Sequence, residues 1–367
     1  MTPFEDTMET VNANQTADLH VVATRPLVTP KELKTAMPST ATMRKTVVEA
    51  RETIKSIIMR EDPRMLLVVG PCSMHNEQQA IEYANKLAVL ANDVRDRLFI
   101  VMRLYFEKPR TTVGWKGLIN DPHLNGTYDI TTGLRTARHI FMVLANLGLP
   151  AGTEMLDPIV PQYTAELVSW CAVGARTTES QTHREMSSGL SMPVGFKNST
   201  DGNLQVAINA MVASQNPAHF LGIDQEGRTC IIQTTGNPHG HVILRGGGGK
   251  TNYDEASVRA AQAELAAAGQ EPAVLIDCSH ANSDKDYRRQ PIVWRDVVAQ
   301  RAAGNDGIIG MMLESNLEEG NQSLGLDPST LKYGVSITDA CVNWETTEQL
   351  ISETYEQLAC CERRVVV

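Results

Sequence analysis

Eight short apolar runs, separated by stretches of helical period, constrain this chain more than any other feature. They are MLLVVG from Met65, LFIVMR from Leu98, PAGTEML from Pro150, CAVGAR from Cys171, PVGFK from Pro193, HVILR from His241, AVLIDCS from Ala273 and GIIGMMLES from Gly307. A strand with one face in water alternates apolar and polar residues, whereas a continuous apolar run is buried on both faces. Such strands alternating with helices form a parallel sheet, and eight βα units closing on themselves form a (β/α)8 barrel. The length of 367 residues suits one barrel with additions. The fold class is therefore read as α/β, a (β/α)8 TIM barrel with an N-terminal helical extension and an inserted β-hairpin.

The additions are legible too. Thr29, Pro30 and Glu32 form a capping box that opens a short helix ending near Ala36. Met43, Val47, Ile54, Ile57 and Ile58 share one face of a longer helix. Residues 1 to about 25 show no period and read as an arm. HFLGID and TCIIQTT flank QEGR, which reads as a hairpin at about 219–236. Residues 1–63 are thus assigned to an arm and helices for oligomerisation or regulation, and residues 64–367 to the barrel. Closing a barrel needs neither addition, so subunit contact and regulation are both open roles.

Composition excludes several classes. A net charge of -10 argues against a general nucleic-acid binder, which needs a basic face. The longest uncharged stretch, 202–223, contains Asn, Gln, Ser and Pro, and predicts no membrane span. The seven cysteines are scattered without a CxxC, and the N-terminus lacks the apolar core of a signal peptide. Both features predict a cytoplasmic protein.

In a barrel of this kind chemistry sits at the C-terminal ends of the strands, and those ends are polar here. Two groups separate. Cys72, His280, Glu314 and Asp339 offer one thiolate, one imidazole and two carboxylates. Singly, each has an ordinary role in a core or a cap. Gathered on one rim they make a four-donor site for a borderline divalent ion such as Mn, Fe, Co or Zn. Arg103, Lys108, Arg110, Arg176, Lys197 and Arg245 terminate or closely follow apolar strands. So many cations at one mouth of an acidic protein predict anionic ligands, and six suit two phosphates and a carboxylate. Gly246–Gly249 would let backbone amides approach a phosphate. Lys197 could instead be a Schiff-base lysine, a mechanism that needs no metal.

Longer strings carry a resemblance. GPCSMHN, MRLYFEKPRTTVGWKGLINDP, GARTTESQTHRE, PVGFKNSTDGN, HVILRGG, DCSHAN, ESNLEEGNQ and YGVSITDAC resemble type I 3-deoxy-D-arabino-heptulosonate 7-phosphate (DAHP) synthases, from about residue 25 to 350. The resemblance implies a metal-dependent (β/α)8 enzyme that condenses phosphoenolpyruvate with erythrose 4-phosphate, the first step of the shikimate pathway. It implies metal ligands Cys72, His280, Glu314 and Asp339. Arg176 and Arg245 would hold the phosphoenolpyruvate phosphate, while Arg103, Lys108 and Lys197 face its carboxylate. Arg110 and Thr111 would hold the second phosphate. Lys108 is expected as proton donor to the new alkoxide, and Glu154 as the group that positions or activates water.

TPKEL, SQTHREMSSGLSMPVG and QTTGNPHGHVILRGG look most like the tyrosine-inhibited form. The inhibitor site is expected between the hairpin, the rim near Gln162 and the Leu190–Ser191 turn, with apolar contacts from Phe220 and Ile232. A homodimer or homotetramer is expected. Two alternatives stand beside this reading: a condenser acting on another phosphosugar, and a catalytically silent barrel that binds an aromatic amino acid or a partner.

Overall fold

The computed structural model describes residues 16–365, so the first 15 residues of the expected arm lie outside the described residues. The strands are β1 (Met65–Gly70), β2 (Leu98–Arg103), β3 (Ala151–Glu154), β4 (Trp170–Val173), β5 (Val194–Lys197), β6 (His219–Ile223), β7 (Thr229–Gln233), β8 (Gly240–Leu244), β9 (Val274–Asp277) and β10 (Ile308–Glu314). All but β6 and β7 close into a parallel barrel in the order β1-β10-β9-β8-β5-β4-β3-β2. The expected (β/α)8 architecture is therefore present.

The helices are α1 (Pro30–Ala36), α2 (Ala41–Ile58), α3 (Glu77–Asp93), α4 (Ile130–Asn146), α5 (Pro161–Thr164), α6 (Gln181–Gly189), α7 (Gln205–Ser214), α8 (Glu255–Ala267), α9 (Gln290–Ala302) and α10 (Trp344–Val365). Each barrel strand is followed by one of α3 to α10. Side-chain caps start several of them: Asn76 on α3, Asp129 on α4 and Asp254 on α8 each accept a backbone N–H of the first turn.

The barrel strands are apolar throughout because both faces are buried. Along β1, Met65, Leu67 and Val69 pack outward against the helices, while Leu66 and Val68 point to an inner cluster. That inner cluster includes Val101, Trp170, Ala172, Ile243, Leu275 and Met312. It also takes in Ile54, Ile57 and Ile58 of α2. The apolar face of α2 is thus buried against the barrel interior and closes its N-terminal end.

The capping box at α1 forms as expected, with Thr29 Oγ1 accepting Glu32 N–H at 3.2 Å and Glu32 Oε2 accepting Thr29 N–H at 2.8 Å. Strands β6 and β7 pair antiparallel, Phe220 opposite Ile232 and Leu221 opposite Ile231. Gly227 takes φ +75° in the connecting turn, where a side chain would be strained. The turn is held to α1: Lys31 N–H donates to Gln225 O at 2.9 Å, and Lys34 Nζ to Gln225 Oε1 at 2.9 Å. The outer face of the hairpin stays apolar and open, with Leu221 76% and Ile231 72% exposed.

Candidate active site

A cavity opens at the C-terminal ends of the barrel strands. All six expected cations line it, together with Thr111, Glu154, His280 and Asp339. The placement follows from the strand ends. Arg103, Glu154, Lys197, Asp277 and Glu314 are the last residues of β2, β3, β5, β9 and β10, and Arg245 follows β8 directly.

Four of the cations fall into two kinds. Arg103 and Lys197 are buried and ion-paired, Arg103 to Glu314 at 3.1 Å and Lys197 to Asp277 at 2.8 Å. Arg103 also donates to the carbonyls of Pro71 and Cys72, which pins the turn after β1. Arg176 and Arg245 instead donate to the backbone carbonyls of Pro109 and Gly246. Burial pulls Arg245 below its ordinary range, Asp277 opposes, and the neighbouring Arg176 adds to the fall. Two guanidinium groups that repel each other at an open mouth are relieved by an anion, and bidentate phosphate fits them best. The paired Lys197 ammonium is a charge already committed to Asp277. A Schiff-base lysine would have to give up that contact.

Three of the four expected metal donors converge. One ligand atom each from Cys72, Glu314 and Asp339 lie within 4.8 Å of one another. His280 lines the same cavity but is not in that group. Its Nδ1 is held by Ser279 Oγ at 2.7 Å and Asp277 Oδ2 at 2.9 Å. Fixing Nδ1 on a carboxylate is the way a ligating histidine is oriented, with Nε2 left for the ion. A thiol with two carboxylates and an oriented imidazole therefore fits a borderline divalent cation.

The local field follows from these neighbours. Burial and Glu314 push the Cys72 thiol up to about 11, against the pull of Lys108, whose Nζ lies 3.2 Å from Sγ. Burial alone would lower Lys108, but Cys72 and Glu314 outweigh it and hold the ammonium above its ordinary value. Burial would likewise raise Asp339, and Lys108, His280 and Arg103 bring it below the carboxylate range. Asp277, buried between His280 and Lys197, is held well down by that pair against the effect of burial.

The glycine run differs from expectation. The N–H groups of Gly246, Gly247 and Gly248 donate to Asn252 Oδ1, Lys250 O and Thr200 O. They are taken and do not present a phosphate cradle. Gly246, Gly247 and Gly248 answer a packing need instead: a Cβ on Gly247 would lie 2.2 Å from Gly202 N, whereas Gly249 faces open space and takes φ +75°. A second glycine shapes the site itself, since a Cβ on Gly174 would lie 2.2 Å from Glu154 Oε1.

Other functional side chains carry little sequence signal. Asp277 stands at a strand end and takes Ser279 and His280 nearby, but its ion-pair partner Lys197 lies 80 residues away in the chain. Gln290, at the start of α9, brackets Glu314 by accepting its N–H at 3.0 Å and donating to its O at 3.2 Å. Cys341 Sγ accepts the Cys72 N–H at 3.4 Å. Nothing local marks either residue.

The residues expected to hold an inhibitor gather around the hairpin. Gln162 Oε1 accepts from Gln225 at the hairpin tip at 3.1 Å. Leu190 O accepts from Asn237 beyond the hairpin base at 3.1 Å, with Ser191 exposed beside it. Phe220 and Ile232 are half-buried, and Gly222 leaves room for Ile232, whose Cδ1 would lie 2.2 Å from a Cβ there.

The profile of the family described as DAHP synthetase I matches residues 41–352. The chain belongs to that family. It is 54% identical over 341 residues to the Tyr-sensitive phospho-2-dehydro-3-deoxyheptonate aldolase of Escherichia coli K12, covering 93% of this chain and 96% of that one. The Phe-sensitive enzyme of the same organism is 49% identical over 339 residues, covering 92% and 96%. The solved structure of phospho-2-dehydro-3-deoxyheptonate aldolase from Francisella tularensis SCHU S4 superposes with a TM-score of 0.90 at 45% identity, covering 92% of this chain and 98% of that one.

Proposed function

We propose that this DAHP synthase-family chain condenses phosphoenolpyruvate with D-erythrose 4-phosphate and water. The products are 3-deoxy-D-arabino-heptulosonate 7-phosphate and phosphate. The observation that carries this reading is the convergence of six cations and a thiol–carboxylate cluster on one cavity. Two phosphates and a carboxylate match that charge, and an aldehyde oxygen matches a Lewis-acid site.

Arg176 and Arg245 bind the phosphate of phosphoenolpyruvate. Arg103, Lys108 and Lys197 face its carboxylate, and Arg110 with Thr111 hold the phosphate of erythrose 4-phosphate. Cys72, Glu314, Asp339 and His280 would hold a divalent ion, which would supply polarisation of the aldehyde oxygen. Lys108, held protonated beside the cavity, donates its proton to the alkoxide formed when C3 of phosphoenolpyruvate attacks the aldehyde carbon. Glu154 accepts a proton from the water that adds at C2, and phosphate then leaves by C–O cleavage.

Feedback inhibition by tyrosine is the regulatory reading. It rests on the strings quoted above and on the higher identity to the Tyr-sensitive enzyme of Escherichia coli than to its Phe-sensitive one. The exposed apolar hairpin face suits a homodimer or homotetramer. Among the described residues no helix is long and apolar enough to cross a membrane; with the scattered free thiols this supports a cytoplasmic enzyme.

The test is a coupled assay with both substrates, run after chelation and after reloading with Mn, Fe, Co or Zn. Turnover is expected only after reloading, with tyrosine the strongest inhibitor among the aromatic amino acids. Full activity in chelator would refute metal dependence, and inhibition by phenylalanine alone would refute the regulatory reading.

A further inference from the structure

Tyr105 stands between Arg103 and Lys108 in the string RLYFEK, and no role above uses it. Its ring carries Arg103 on one face, with the guanidinium carbon 3.6 Å from the centroid. Lys108 Nζ lies 5.7 Å from the same centroid. Tyr105 is 1% exposed and lines the cavity, yet its hydroxyl has no hydrogen-bond partner among the described residues. Glu154 Oε1 is in the same state: buried, lining the same cavity and without a partner among the described residues.

A position that only packs would be served by phenylalanine, and burying a hydroxyl without a partner is unfavourable. Burial, aided by Glu154 and Asp277 and opposed by Arg103, holds the phenol well above its ordinary range, so it stays a donor. One open donor and one open acceptor lining one cavity match a single water molecule.

We propose that Tyr105 is a positioning residue with two separable parts: its ring aligns Arg103 and Lys108 on the carboxylate of phosphoenolpyruvate, and its hydroxyl, with Glu154, holds the water that adds to C2. The inference rests on the function proposed above. Tyr105 donates to one lone pair of the water oxygen and Glu154 accepts one of its protons. The second lone pair forms the O–C2 bond as that proton passes to Glu154.

Wild type, Tyr105→Phe and Tyr105→Leu are compared by steady-state kinetics, by thermal melting and by calorimetric binding of phosphoenolpyruvate alone. Tyr105→Phe keeps the ring, so its Kd for phosphoenolpyruvate should stay within about twofold while kcat falls roughly 10- to 100-fold. Tyr105→Leu loses the π face, so Kd should also rise by about 10-fold. Tyr105→Met gives the same readout if the leucine variant does not fold. Wild-type kcat in Tyr105→Phe would overturn the hydroxyl's role. Wild-type Kd in the leucine or methionine variant would overturn the ring's. A phenylalanine variant that loses binding in step with its melting temperature would reduce the residue to packing and overturn both. Failure of the wild type to turn over the substrate pair would instead refute the proposed function, and the hydroxyl's role with it.

Discussion

The two mouths of the barrel are built from opposite chemistry. At the N-terminal end, Ile54, Ile57 and Ile58 of α2 pack among Leu66, Ala273, Leu275 and Ile309, all buried and all apolar. At the C-terminal end, Arg103, Lys197, Asp277 and Glu314 are buried as charges. Each fully buried aliphatic side chain contributes about 1.5–3 kcal/mol. A buried ion pair, by contrast, recovers little beyond its desolvation cost. The plug therefore supplies stability and the charged mouth supplies chemistry, and substitutions at the two ends should separate these properties.

The largest expected effect is at the open mouth. Arg176→Ala removes an exposed guanidinium that forms no salt bridge with a carboxylate among the described residues, so kcat/KM should fall by about 10³-fold. Thermal melting should barely move; a large loss of stability would break the contrast between the two ends. Next, Ile57→Ala opens a cavity in the plug and should cost about 3 kcal/mol in denaturant unfolding. Its kcat should remain that of the wild type, and a comparable loss of activity would show that the two ends are coupled.

A smaller effect sharpens the comparison by pH. His241, near the start of β8, is buried, accepts Trp170 Nε1–H at 3.2 Å, and is lowered by burial to about 3. Its unfolded value is near 6.5, so between these values the unfolded chain binds the extra proton. The stabilisation is complete above pH 6.5 and is lost as pH falls toward 3. Between pH 6.5 and 5, before carboxylates titrate, about 1–2 kcal/mol should disappear. His75, lowered by burial to about 4, acts over the same window, so His241→Gln should reduce the slope by about half in equilibrium unfolding, and an unchanged slope would assign it to groups other than His241. Smallest of all, Thr29→Ala removes the cap of α1 and should cost about 1 kcal/mol, read as a shift in denaturant midpoint.

Much of the barrel was legible because its strands are buried on both faces, which writes the sheet into the sequence as continuous apolar runs. The hairpin was legible from QEGR and its flanks, and the α1 cap from Thr29 and Glu32. What α2 packs against was not. An amphipathic face announces burial without naming its partner, and besides the adjacent β1 the plug depends on contacts to β9 and β10 far along the chain. The same holds at the site. Strand ends exposed the cations and the donors, since local position places them on one rim. The pairing of Lys197 with Asp277, 80 residues apart, depends on how strands meet in space; the Asp277 contact to His280 and the ring of Tyr105 under Arg103 join near neighbours in the chain, but rest on side-chain directions that residue order does not mark. The glycine run after Arg245 misled because a close backbone approach and an anion cradle both call for glycine; only the hydrogen bonds distinguish them.

The most direct test of the charged mouth is a crystal structure with manganese and phosphoenolpyruvate, the ion located by its anomalous signal. The account predicts one manganese peak bound by Cys72, His280, Glu314 and Asp339, with the phosphate on Arg176 and Arg245. A peak that leaves out His280 or Cys72, or a phosphate bound away from that arginine pair, would contradict it.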